Sequence, residues 1–443
     1  MHFLTCGLPE NILRAEASGN FSLAKCLIDQ WLADERTTEL QKARLSYEKE
    51  RIERILKTYP YDEEEAFKIA SEQIEGFSRK EFEQLIEQGK LDFIFVDGKR
   101  KFEKRFVQNL GFSMSEYKSR MKQDEDTLEA RKILDERIKQ LLNGDNPKVY
   151  RIRAKVMLKV KNVEKKSLRV WLPFPKVGLQ VLDVRLISAS KSDYYVSANN
   201  SPQRTIYFEG VEDEYWVEFE YKIKEWVNKV DLEKVSSSVD PSVQRFLAEE
   251  PPHIVFTPYL RYLANQIVKS EKNPYLKAKL IYDWITKNVR YSYVKPYATY
   301  ENISQYVAEN LKGDCGFQAL LFITLCRIEG IPARWQSGWY ANPIFASPHD
   351  WALFYVEPYG WLPADLSFGG ARRNDENMRN FYFGNLDAFR MVANDDFMKD
   401  FDPPTRYHRD DPTDNQVGEA EFEDGKAEFE SELEIISFEE EVV

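Results

Sequence analysis

The spacing of apolar residues changes period twice along the chain, and this limits the available folds more than any single motif does. Up to about residue 147, runs such as TTELQKARLSYEKERIERILKTY and DTLEARKILDERIKQLLNG place Leu and Ile three and four residues apart. That spacing gathers them on one face of a helix. From Val149 to about Lys229 the period falls to two, in YRIRAKVMLKV, LRVWLPF, QRTIYFEG and YWVEFEYKIKEWV. Such alternation buries one face of a strand and leaves its Lys/Glu face wet, so this segment reads as an antiparallel β-sandwich. Helical spacing returns after Asp240-Pro241, in PYLRYLANQIV and NPYLKAKLIYDWITKNV. The expected architecture is α+β and multidomain: a helical domain over 1–147, a β-sandwich domain over 148–235, and a mixed domain with an antiparallel sheet over 236–443.

Local signals refine this picture. In LDFIFV-DG-KRKF, Asp97-Gly98 joins two extended runs and fits a two-residue hairpin turn, which needs positive φ at both positions. The turn-rich run Asn143 to Pro147 marks the expected boundary of the helical domain. Residues 419–430 alternate about Asp424-Gly425 and predict a terminal hairpin whose acidic face is solvated, with docking on a basic surface of the same protein or a cation site as the alternatives. In that hairpin Phe422 faces Ala427, Ala420 faces Phe429 and Glu423 faces Lys426. The same register opposes Glu421 to Glu428 and Glu419 to Glu430, which is unfavourable.

The net charge is −12, and residues 412–443 carry −11 of it, with Lys426 as their single base. A uniformly basic nucleic-acid binder is therefore excluded, and Lys99, Arg100, Lys101, Lys104 and Arg105 read as a solvated face. No run of 18 apolar residues occurs, and the start MHFLTCGLPENILRAEAS has no basic region followed by an apolar one. The expectation is a cytoplasmic protein without a membrane or nucleic-acid partner. Cys6, Cys26, Cys315 and Cys326 show no Cys-x-x-Cys spacing and read as reduced thiols, with no metal or cofactor implied.

One segment carries chemistry. In LKGDCGFQALLFITLCRIEGIPARWQSGW, Cys315 precedes an apolar run that Gly330 and Pro332 close, so it falls at a helix N-terminus. Unsatisfied N–H groups there favour a thiolate and should lower the thiol pKa. Cys326 lies within the helix and reads as packing. A thiol nucleophile needs a base, and of the four histidines His2, His253 and His408 lack catalytic patterning. His349 instead opens the strand-like run HDWALFYV, and after the turn Glu357 to Gly360 the run WLPADLSF contains Asp365. Adjacent antiparallel strands would make His349 and Asp365 neighbours at one sheet edge, with the Cys315 helix packed on that sheet.

These residues resemble the transglutaminase-like superfamily, related in fold to papain-type cysteine peptidases. The resemblance rests on Gly313-Asp314-Cys315, Gly330-Ile331-Pro332-Ala333-Arg334, His349-Asp350-Trp351 and Trp361-Leu362-Pro363-Ala364-Asp365, in that order. It covers about residues 275–370 and makes 236–443 a transglutaminase-like catalytic domain. It implies that Cys315 is the nucleophile, His349 the general base and then acid, and Asp365 the residue that orients the imidazole. The implied reaction is acyl transfer from an amide of a peptide or protein substrate through a thioester. Hydrolysis is preferred; transfer to an amine, or a non-catalytic scaffold that keeps the fold, are the alternatives. Trp335, Trp339, Tyr340 and Trp351 are the candidate substrate contacts, with residues 341–348 as an exposed rim. Asp395, Asp396, Asp400 and Asp402 read as solvated loop acids.

Overall fold

The structure is a computed structural model, and it describes residues 4, 6–163, 166–409 and 413–441. The chain forms two compact units, Met1–Gln123 with Arg290–Glu301, and Asp124–Val289 with Asn302–Val443.

The first unit is helical. Thr38, Ser78 and Asp62 each cap a helix through a reciprocal box with the residue three positions on, Gln41, Glu81 and Glu65. Ile28, Ile52 and Phe82, each fully buried, anchor its two apolar clusters. The hairpin forms as expected: Phe93–Val96 pairs antiparallel with Lys99–Phe102, and Asp97 and Gly98 adopt φ of 49° and 82°. Arg100 of the basic run pairs with Glu63, and Arg105 stacks 4.1 Å from the Tyr293 ring centre.

The helix Glu125–Leu142 belongs to the second unit rather than to the helical one. Periodicity shows that a helix has an apolar face but not which core that face enters. Here Arg137 reaches Glu225 with two bonds of 2.7 Å, and Asp135 pairs with Arg372.

In the second unit, the period-two segment forms two antiparallel sheets. One is ordered 429–441, 149–160, 214–224, 181–189; the other is ordered 425–426, 419–422, 168–173, 205–210, 195–196. Along Val149–Val160 the even-numbered side chains from Tyr150 to Val160 are buried and the Arg/Lys positions between them are not. Phe174 meets Phe219 edge-on at 5.7 Å between the sheets.

The terminal hairpin is corrected. Only Glu421 with Lys426 and Phe422 with Gly425 pair, so the turn is Glu423-Asp424, one residue earlier than expected. Glu419–Phe422 instead lies along Leu168–Pro173, where Glu421 is buried against Arg169 at 2.6 Å. Phe429–Glu441 then joins the other sheet and sets Glu430, Glu434 and Glu439 opposite Lys159, Lys155 and Arg151. The expected register stacks carboxylates on carboxylates, whereas this pairing opposes them to a basic strand and buries Ala420 and Phe422.

The remaining core packs the helix Cys315–Ile328, buried from Cys315 to Arg327, against a four-stranded antiparallel sheet. The sheet order is 360–364, 346–356, 333–341, 390–394. Gly330, with φ of 79°, ends the helix as its position after the apolar run predicts. Among the described residues, no helix is long and apolar enough to cross a membrane.

Candidate active site

The chain around Cys315 is set by sterics and capping. A Cβ at Gly313 would stand 2.6 Å from that of Phe317, so only glycine lets the approach to the helix pass there. Asp314 then accepts the N–H of Phe317 at 3.0 Å, which caps the helix and makes Cys315 its first residue. Strand 346–356 carries His349 and Asp350, and Asp365 caps the helix Leu366–Ala371 that follows strand 360–364.

His349 and Asp365 meet directly: Nε2 lies 2.7 Å from Oδ2, and the two side chains are 5% and 0% exposed. Asp365 also accepts the N–H of Phe368 at 3.0 Å and the hydroxyl of Ser367 at 3.2 Å. Arg390, fully buried, stands 2.9 Å from Asp365 and 2.9 Å from Asp387. Burial alone would raise the Asp365 carboxyl, but the adjoining imidazole and guanidinium hold it down at about 2. Burial lowers the His349 pKa, and the Asp365 carboxylate only partly offsets this, so the resting imidazole is neutral at pH 7. Its ring stacks on Trp351 at 5.8 Å and touches Phe368 at 4.6 Å, which fixes its plane.

Cys315 has a different immediate partner. Its Sγ donates to Asp350 Oδ2 at 3.2 Å rather than to His349. The other Asp350 oxygen takes the side-chain N–H of Gln416 at 2.5 Å, and Gln416 also donates to the His349 carbonyl at 3.1 Å. His349 and Asp350 are consecutive on one strand, so their side chains leave it in opposite directions, and one strand carries both the thiol contact and the imidazole–carboxylate contact. The expected low thiol pKa is overturned. Burial, then the carboxylates of Asp350 and Asp314, push the Cys315 thiol well above its usual value, the direction opposite to the one expected from the helix N-terminus. Cys326 is fully buried, as its position in the helix implies.

The aromatic candidates are also corrected. Trp335, Trp339 and Trp351 are at most 1% exposed, with their faces already occupied. Trp335 packs on Phe397, and Trp339 packs on Phe219 and donates to the Gln416 carbonyl at 2.6 Å. Tyr340 is half-buried against Phe345 and Phe368. The expected rim is a tight hairpin, Ala341 pairing with Ala346. These rings brace the site instead of offering a stacking surface. Asp395 and Asp396 are not solvated either: Asp395 takes Lys176 at 2.8 Å and Gln336 at 2.9 Å, and Asp396 is 3% exposed. Among the described residues no cluster of His, Cys, Asp and Glu could hold a metal ion. His253 is buried and accepts the N–H of Ile303, whereas His2 lies outside the described residues.

Three site residues were not anticipated. Asp350 lay inside the quoted His-x-Trp motif as its unread middle position. Arg390 had a signal, a lone cation in the apolar run AFRMVA. Gln416 had none, because it arrives from a distant segment.

Residues 261–366, which hold Cys315, His349 and Asp365, match the profile of the Transglutaminase-like superfamily. A Haemophilus influenzae protein described as uncharacterized is 24% identical over 280 residues, covering 53% of this chain and 74% of that protein. Among solved structures, "a Putative Cysteine Protease" from Cytophaga hutchinsonii is 18% identical with a TM-score of 0.46, over 66% of this chain and 91% of that one. The periplasmic domain of TgpA from Pseudomonas aeruginosa is 15% identical with a TM-score of 0.30, over 54% of this chain and 94% of that one.

Proposed function

We propose that this chain is a cysteine-dependent acyl-transfer enzyme that hydrolyses peptide or side-chain amides. The carrying observation is the buried His349–Asp365 contact beside the residue that holds the Cys315 thiol. The thiol exchanges Asp350 for His349, gives its proton to the imidazole and attacks the amide carbonyl carbon. The C–N bond breaks, the leaving amine takes the proton from His349, and a thioester remains. Water, deprotonated by His349, then attacks the thioester; the C–S bond breaks and sulfur regains the proton. Asp365, anionic because Arg390 adjoins it, holds the imidazole in the tautomer that faces the reacting atoms.

Cys315→Ala should reduce turnover of peptide amide substrates by a factor on the order of 10⁴ or more while leaving the melting temperature unchanged. Undiminished turnover in that variant refutes the reading. The acceptor separates the two outcomes of the thioester: release of free acid at full rate with no added amine assigns hydrolysis, whereas turnover only when an amine is supplied assigns transfer.

A further inference from the structure

The strand Phe429–Glu441 stands at the edge of its sheet: it pairs with 149–160 on one side and, among the described residues, with no strand on the other. Half of the backbone N–H and C=O groups of such a strand point away from its neighbour and are open to another extended chain. Natural edges are commonly closed by proline, lysine or a bulge. This one has neither proline nor lysine over 13 residues. Its register shift falls between Ile435 and Ser437, which leaves 429–435 regular. That stretch spans roughly 23 Å.

Both faces of this stretch are unfinished. On the inward face Leu433 and Ile435 stand opposite Val156 and Ala154. Val156 and Ala154 are 0% exposed, whereas Leu433 and Ile435, at the edge, are only half-buried. On the outward face Glu430, Glu432 and Glu434 follow at alternate positions, all exposed. Glu430 pairs with Lys161 at 2.7 Å. Glu432 stands opposite Met157, and Glu434 opposite Lys155, whose ammonium lies 4.7 Å from the Trp216 ring centre. Among the described residues, neither Glu432 nor Glu434 forms an ion pair. The inner neighbour shows what such a strand accepts. Along 149–160, Arg151, Arg153, Lys155 and Lys159 alternate with apolar residues, so bases meet the acidic face and apolar side chains line the core. The outer edge presents the same two faces. A second copy of 429–435 does not complement it, because that pairing sets glutamate beside glutamate.

We propose that the outer edge of 429–435 binds, as a further strand, an extended segment of another protein in which lysine or arginine alternates with apolar residues. Its backbone pairs with the open edge, its bases lie beside Glu432 and Glu434, and its apolar side chains cover Leu433 and Ile435. The proposal does not depend on Cys315 chemistry.

The test is a fluorescence-anisotropy titration of the full chain into short labelled peptides: one alternating lysine and valine, one alternating glutamate and valine, and the first again with the backbone nitrogens of two adjacent central residues methylated. The lysine peptide should bind one to one and slow hydrogen exchange at the amides of 429–435. The methylated peptide keeps the charge but cannot pair along the edge, and should bind about tenfold more weakly or worse; the glutamate peptide should not bind. Glu432→Gln combined with Glu434→Gln should weaken the lysine peptide about tenfold and leave the melting temperature unchanged, because both side chains are exposed. Equal binding of the methylated peptide reduces the contact to charge alone and overturns the proposal. No binding of the lysine peptide at millimolar concentration, or exchange protection only outside 429–435, also overturns it. Dimerisation of the free chain that the double substitution strengthens assigns the edge to a second copy and overturns it as well. The methylated-peptide comparison needs no variant, so it decides even if the double variant fails to fold.

Discussion

Arg390→Met is the substitution whose outcome most directly checks how the site is held together. The methionine roughly keeps the packing against Phe368, whose ring centre lies 4.4 Å from the guanidinium carbon, but it removes the positive charge that bridges two buried carboxylates. Asp365 and Asp387, 2.9 Å from Arg390 on either side, are 0% and 1% exposed. Each keeps other hydrogen bonds, Asp365 from Phe368 and Ser367 and Asp387 from Tyr382 and Phe389, so neither is stripped of donors. What remains is uncompensated charge, and removing one partner of a buried ion pair costs about 3–5 kcal/mol. At roughly 2 °C per kcal/mol for a large unit, the melting temperature at pH 7 should fall by about 6 °C or more. The sign of the pH dependence follows from Asp365. Its folded pKa of about 2 lies below the unfolded value, so its contribution is fully present above about pH 4 and is lost as pH falls through 2. The gap between wild type and variant should therefore narrow as the pH drops from 4 toward 2. A melting temperature at pH 7 within about 2 °C of wild type would refute this account of the buried triad of charges.

Asp350→Asn removes the charge beside the Cys315 thiol, so alkylation of Cys315 by iodoacetamide at neutral pH should accelerate; an unchanged or slower rate, read by intact mass, counts against Asp350 as the resting partner. His253 has a folded pKa of about 3 because it is buried, below its unfolded value near 6.5. The stability it contributes is complete above about pH 6.5 and falls toward pH 3 by at most about 1.4 kcal/mol per pH unit. His253→Asn, which can still accept the Ile303 N–H, should reduce that acid slope in thermal melts, and an identical slope would exclude the assignment. Removing residues after 412 deletes strands 419–422 and 429–441, so it should yield protease-sensitive, poorly folded protein. A truncated chain with wild-type protease resistance would contradict that.

Much of this arrangement was written in local pattern. The period of two in 149–160 needs no partner to show that one face is buried, and Asp97-Gly98 specifies its turn through backbone sterics alone. The spacing from Cys315 through His349 to Asp365 likewise made the histidine and aspartate neighbours, although Asp365 lies one residue past its strand, as a helix cap. What the pattern did not carry was the identity of the neighbour. The alternation in 419–430 is real, but alternation is equally satisfied by any partner strand, and a basic one won over a self-paired acidic one. The helix 125–142 has the same amphipathic face whichever core receives it. The helix N-terminus at Cys315 was legible, whereas the burial and the Asp350 contact that override it are products of tertiary packing. Trp339 illustrates the same limit: an aromatic near a candidate site histidine suggests contact with a ligand, yet its face is taken by Phe219, more than a hundred residues upstream.

The pairing of strands 149–160 and 429–441 has a consequence for how the protein is made. Val160 and Phe429 lie opposite each other but 269 positions apart. At a synthesis rate of roughly 5–20 residues per second, the earlier strand waits on the order of 10–50 s before its partner exists. During that interval it presents an unpaired edge, the kind of surface that recruits strands from other chains. Arg151, Arg153, Lys155 and Lys159 punctuate that edge, so two nascent copies repel one another there. The glutamates of the late strand are what the waiting edge accepts, and the charge pattern thus acts as a timer's lock, closed to its own kind and open to the segment that arrives last.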